Sequence, residues 1–154
     1  MRNILPKLFI GAAITSVALF GGDNSIGTWK RNTEKSTSST PNTVKNLTMV
    51  IESSKNGAKF TATGERTDGT AIHGGGTVQY DGKDYPATGA PWDTIAMNQV
   101  DSNTFTSTST RRGGKYHVTS HTVISADGQT MTTTSKGVND DGKPVESTVV
   151  YDKQ

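Results

Sequence analysis

The chain has 154 residues, the length of one domain, with 31% hydrophobic and 6% aromatic residues, 17 glycines and no cysteine. It carries 25 threonines and 14 serines, and beyond residue 21 its sole leucine is Leu47, which excludes a coiled coil or a helical bundle. With Arg2 and Lys7 set aside, the 16 basic side chains become 14, equal to the 14 acidic ones, so no nucleic-acid partner is expected.

Residues 1–21 have the layout of a secretory signal: a charged MRNILPK, the apolar run from Leu8 to Phe20, then small residues. That run is about 13 residues, short of the roughly 20 that a bilayer-spanning helix takes. Cleavage after Ala18 and cleavage at Gly21 or Gly22 both fit the small-residue rule. The competing reading, an uncleaved anchor or a buried helix, is disfavoured by Pro6 and by the polar GGDNS that follows. Without cysteine the chain has neither a disulfide staple nor a site for lipid attachment. The expectation is a signal peptide at 1–21 and one periplasmic or secreted domain at 22–154, monomeric and with no membrane anchor once the signal is cleaved.

From residue 22 onward the chain is punctuated by Asn56-Gly57, Asp68-Gly69, Asp81-Gly82, Gly113-Gly114, Asp127-Gly128 and Asp141-Gly142. Such pairs supply the positive φ of two-residue hairpin turns. Their rhythm predicts about ten strands, near 26–33, 44–53, 58–67, 70–80, 83–88, 92–100, 103–111, 115–126, 129–138 and 144–153. The Ser/Thr-rich stretch Glu34 to Asn42, which contains Pro41, reads as a mobile loop. A second stretch, Tyr85 to Trp92, holds two prolines and a glycine and reads as a stiff aromatic loop.

Alternation sorts the faces of these strands. Phe105, Ser107, Ser109 and Arg111 fall on one face, as do Tyr116, Val118, Ser120, Thr122 and Ile124, and then Met131, Thr133 and Ser135. His117, Thr119 and His121 fall outside. Inner faces that are half apolar and half hydroxyl suit a closed barrel better than the dry core of a sandwich. The fold class predicted is therefore all-β, an antiparallel up-and-down β-barrel of about ten strands.

Ile26-Gly27-Thr28-Trp29-Lys30 resembles the Gly-x-Trp opening of calycins, the lipocalins and fatty-acid-binding proteins, and Thr148-Val149-Val150-Tyr151-Asp152-Lys153 resembles the closing strand of fatty-acid-binding proteins. GTWKRNTEKS, DGKDYPATGAPWDT, SADGQTMT and DDGKPVESTVVYDKQ are similar to a family of small exported bacterial lipocalin-like proteins of uncharacterised function. The resemblance implies a barrel with Trp29 packed at its floor. Two departures stand out: Val149 occupies the place where the fatty-acid-binding pattern has a carboxylate-holding arginine, and the two-helix lid of that family has only the loop 34–42 in its place.

No catalytic constellation emerges. There is no thiol and no Gly-x-Ser-x-Gly elbow. His117 and His121, about 13 Å apart along a strand, do not share a metal ion. Gly74-Gly75-Gly76 reads as a bulge or bend that closes the barrel rather than a phosphate loop, and Asp81, Asp84 and Asp93 as solvated turn carboxylates. Inward serines and threonines are small, so space along the axis is expected to hold water or a guest. The expectation is a small-molecule carrier that needs no cofactor and performs no reaction. Its ligand contacts would be aromatic walls from Phe105, Tyr116 and Tyr151, Arg111 at one rim, and Tyr85 and Trp92 at one lip of the mouth. The alternative is an envelope or surface interaction module in which outward ladders (Thr104, Thr106, Thr108 and Thr110, with Thr130, Thr132 and Thr134) make the contacts and the barrel is a scaffold.

Overall fold

A computed structural model of the protein describes residues 22–154, so the expected signal segment lies outside the described residues. Ten strands follow one another: β1 Gly27–Ser38, β2 Val44–Ser54, β3 Gly57–Arg66, β4 Ala71–Gln79, β5 Asp81–Thr88, β6 Thr94–Asp101, β7 Thr104–Thr110, β8 His117–Ile124, β9 Thr130–Val138 and β10 Pro144–Lys153. Each pairs antiparallel with the next, and β10 pairs with β1 to close the barrel. The turn chemistry behaves as the dipeptides require: φ is positive at Gly69, Gly82, Gly113, Gly128 and Gly142, and at Asn56 in place of Gly57.

Two loop expectations are corrected. Residues 34–38 are not a mobile loop but continue β1, which carries a wide irregularity between Asn32 and Thr37 in its ladder with β10. Side chains build it: the Lys35 amide donates to Asn32 Oδ1 (3.0 Å), the Ser36 hydroxyl donates to the Asn32 carbonyl (2.6 Å), and the Val150 amide donates to Ser36 Oγ (3.0 Å). Likewise Tyr85 to Thr88 belong to β5, and only residues 89–93 form the connection to β6. Pro86 is tolerated because β5 is sparsely laddered, meeting β4 only at Gly75↔Thr88 and Gly76↔Ala87.

The glycine triplet lies inside β4 with no break in its register to β3, so it is a close-approach strip and not a bulge. A Cβ on Gly74 would meet the Thr88 carbonyl oxygen at 2.4 Å, and one on Gly75 the Phe60 carbonyl oxygen at 2.4 Å. The strip lets β4 coil tightly between β3 and β5, which bends the sheet into a cylinder.

The core sits at the end of the barrel where β1 begins and β10 ends. Trp29 (0% exposed), Phe105, Ile124, Met131 and Tyr151 pack together there. Trp29 Nε1 donates to the Ser25 carbonyl (2.7 Å), and Lys153 Nζ lies 5.1 Å from the centre of its ring. A second cluster, Val78, Ala87 and Ile95, has Phe60, Tyr85, Trp92 and Met97 packed against it, and Tyr80 touches both clusters.

Candidate functional site

Directly opposed residues of an antiparallel ladder share a face, so the inner wall can be followed around the barrel from Trp29. Through the ladders this row continues Met49, Ala62 and Gly74 on one side, and Tyr151, Met131, Ile124 and Phe105 near the floor on the other. The inward positions expected on β7, β8 and β9 are the inward positions observed: Phe105, Val118, Ile124 and Met131 are buried, while His117, Thr119 and His121 are exposed.

Above the floor the wall changes character. Ser120 and Ser135 hydroxyls meet at 2.8 Å, and Thr122 and Thr133 hydroxyls at 2.8 Å, pairing across neighbouring strands. Val149 stands beside Thr133 in the β9–β10 ladder, and Val149, Leu47 and Met49 touch the floor cluster but stay partly exposed.

Six residues were expected to form the binding site, and the structure separates them into three places. Phe105 (3% exposed) and Tyr151 (9% exposed) are together in the floor cluster. Tyr85 and Trp92 are together against the second cluster; Trp92 packs on Phe60 with ring centroids 6.5 Å apart, and the Tyr85 hydroxyl donates to Asp81 Oδ2 (2.9 Å). Arg111 and Tyr116 are together at the mouth, just beyond the ends of β7 and β8 rather than within them. Arg111 Nη1 is taken by Asp140 Oδ2 at 2.6 Å, and the Tyr116 amide donates to Asp140 Oδ1 (3.3 Å).

Two inner-wall residues escaped the sequence reading. Arg31 stands opposite Tyr151 in the β1–β10 ladder, and Gln99 stands opposite Phe105 in the β6–β7 ladder. Arg31 Nη2 donates to Asn42 Oδ1 (3.3 Å), but its Nε, like Gln99 Nε2, is buried with no hydrogen-bond partner among the described residues. Alternation from Trp29 was the signal that would have found Arg31. The outer surface carries two shallow hollows. One of about 360 Å³ lies over the glycine strip between Lys59, Thr61, His73 and Thr88. The other, of about 370 Å³, lies on β6 to β9 among Thr106, Thr108, Thr119, His121, Thr134 and Lys136.

All four tyrosines are held above their ordinary pKa. Burial is the first cause for each, aided by the Asp23 carboxylate at Tyr80, by Asp81 at Tyr85 and by Asp140 at Tyr116, and opposed by Arg31 at Tyr151. A raised folded-state pKa means that the folded protein keeps a proton the unfolded chain releases near pH 10. Stability contributed this way is intact below about pH 10 and declines as pH rises through the folded values. In a phenolate absorbance titration the native protein is expected to ionise all its tyrosines above the transition seen in urea. A quarter of the signal changing at the ordinary value in the native protein would contradict the arrangement.

No protein-family model matches the chain, and no curated protein matches it. Among solved structures, the S-type phycobiliprotein lyase CPES from Guillardia theta is similar with a TM-score of 0.53 at 11% identity, over 85% of this chain and 89% of that one. Zebrafish ileal bile acid-binding protein complexed with cholic acid aligns with a TM-score of 0.46 at 12% identity, over 86% of this chain and 100% of that one. A redesigned β-barrel bound to DFHBI aligns with a TM-score of 0.40 at 18% identity, over 85% and 100% of the two chains. At such identities the likeness to the lyase is one of fold: the described chain is an antiparallel closed barrel of ten strands.

Proposed function

We propose that the protein is an exported, monomeric carrier of a small amphipathic molecule, of the kind formed by the small exported bacterial lipocalin-like family, and that it binds its guest inside the barrel without transforming it. One observation carries this reading: Leu47, Met49 and Val149 point inward yet are only partly covered, on an inner wall that also holds paired serine and threonine hydroxyls, one of them, Thr133, directly beside Val149. Apolar and hydroxyl positions side by side on the inner wall suit a guest with one apolar and one polar side. The signal-like segment 1–21 supports export. Native mass spectrometry of protein exposed to a lipid and metabolite extract tests the proposal. The expected result is a monomer that starts near residue 19 to 23 and carries a reproducible added mass. Repeated recovery of empty protein would overturn carriage.

The second reading, a surface interaction module, is favoured by the outer hollow on β6 to β9. Threonines from three strands line it, and His121 and Lys136 flank it. Under that reading the extract leaves no added mass, and Thr108→Lys abolishes capture of the envelope polymer on which the barrel docks.

A further inference from the structure

The outward faces of β6 to β9 carry almost no charge. β7 and β8 contain no Asp, Glu, Lys or Arg, β6 has only its terminal Asp101, and β9 has only Lys136. By contrast β1, β2, β3 and β10 each carry two or more such residues. Lys136 itself is paired with Glu146, 2.9 Å away. What these strands present instead is a row of hydrogen-bonding groups: Asn98, Thr106, His121, Thr134 and Thr148 stand directly opposite one another from β6 through β10. With strands about 4.8 Å apart, the row runs roughly 19 Å around the wall. On the inner face of the same strands the hydroxyls satisfy one another, Ser120 with Ser135 and Thr122 with Thr133. The outward row has no such pairing: among the described residues none of its five side chains makes a hydrogen bond, and Asn98, His121 and Thr134 are exposed. The hollow of about 370 Å³ lies along this row, with Thr108 and Lys136 on its far side.

Resting on the surface reading, we infer that the row binds an uncharged glycan, laid across the strands so that successive sugars meet Asn98, Thr106, His121 and Thr134. Charge excludes the ionic alternatives, because a polyanion or polycation finds no unpaired counter-charge in the hollow. Apolar chemistry is excluded as well: Ala96 is the one apolar side chain that lines it. What remains matches a sugar group for group. Threonine hydroxyls, an amide and a neutral imidazole each donate and accept, as every sugar hydroxyl does, so neither partner is left with a donor facing a donor. The hollow lies within the size range of small-molecule sites, and the row extends beyond it to Thr148, which suits a chain longer than one ring. Nothing in this site depends on what the barrel interior holds.

Co-sedimentation of the purified protein with isolated bacterial cell envelope tests this, with the envelope treated in three ways. Periodate, which cleaves vicinal diols, is expected to abolish capture. Protease treatment of the envelope is expected to leave capture intact, and so is high salt, since no ion pair is there to be screened. Thr106→Val, which keeps the shape and removes the hydroxyl, should weaken capture about threefold to tenfold, as loss of a neutral hydrogen bond predicts. Asn98→Ala should do the same from an exposed position, and it decides the matter should Thr106→Val fail to fold. Thr48→Val, on the outward face of β2, should change nothing. If untreated envelope captures no protein, the surface reading itself falls. If capture occurs but survives periodate, or is lost with protease or salt, the surface reading stands and the neutral glycan is overturned in favour of a protein or a charged polymer. Capture that both row variants leave unchanged would overturn the assignment of the row.

Discussion

Replacing Trp29 by alanine is expected to remove about 3–5 kcal/mol of stability, the range for emptying a buried tryptophan site. The side chain is 0% exposed and anchors the cluster of Phe105, Ile124, Met131 and Tyr151. Its Nε1 also satisfies the carbonyl of Ser25, itself buried, so the substitution leaves an acceptor without its donor as well as a cavity. A barrel of this size has roughly 5–15 kcal/mol in total, so the variant should sit near its unfolding threshold at room temperature. The urea midpoint measures it. A loss under about 1 kcal/mol would mean that the floor can collapse around the missing ring. Trp92→Ala should cost less, because Trp92 is only partly buried and leans on Phe60 from a connection rather than a strand.

Gly89→Ala is the second large effect, for a reason that has nothing to do with hydrophobic burial. Gly89 has φ +77°, and a Cβ there would come within 1.8 Å of the His73 carbonyl oxygen and 2.5 Å of Gly74 Cα. Left-handed backbone alone costs an alanine about 1–2 kcal/mol. The collision adds a displacement of β4 from β5 at the ladder that has only two paired positions, so about 3 kcal/mol or more in total is expected. Gly69→Ala is the matched control: its φ is +85°, and nothing lies within 4 Å of the added methyl. Thermal unfolding of both variants isolates the close approach as the difference between them. Equal losses would show that β5 can move aside freely.

The fold was legible because its information is local. Six turn dipeptides and period-2 alternation need only near neighbours in the chain, and nine strand spans follow within two residues. The end of β1 was hidden because its irregularity is held by Asn32 and Ser36 side chains that stand in for ladder bonds. Serine- and asparagine-rich sequence of that kind reads as loop. Candidate site residues were legible as inward or outward, since Phe105 and Tyr151 do face in, but their grouping was not. Arg111 stands at the rim, but its salt-bridge partner Asp140, 29 residues away, is one that alternation does not reveal. Arg31 was overlooked because Lys30-Arg31 has the look of a solvated basic pair. Only the alternation from Trp29 turns one of the two inward, and only the β10 register shows what it meets there.

The ladder between β1 and β10 has a topological consequence for the cost of making the molecule. Nine ladders join strands that are consecutive in the chain, while the tenth joins the first strand to the last, setting Trp29 opposite Lys153. Logarithmic loop-closure scaling puts about 4 kcal/mol of chain entropy on that one junction. Extra tethers gather at the same place. Asn32 Nδ2 donates to Asp152 (2.7 Å), the Gln154 amide to the Thr28 carbonyl (2.9 Å), the Ser39 amide to the Glu146 carbonyl (2.8 Å), and the Glu146 amide to Ser39 Oγ (2.8 Å). The serine and asparagine stretch that disguises the end of β1 is therefore the part of the chain that offsets the longest closure in the barrel.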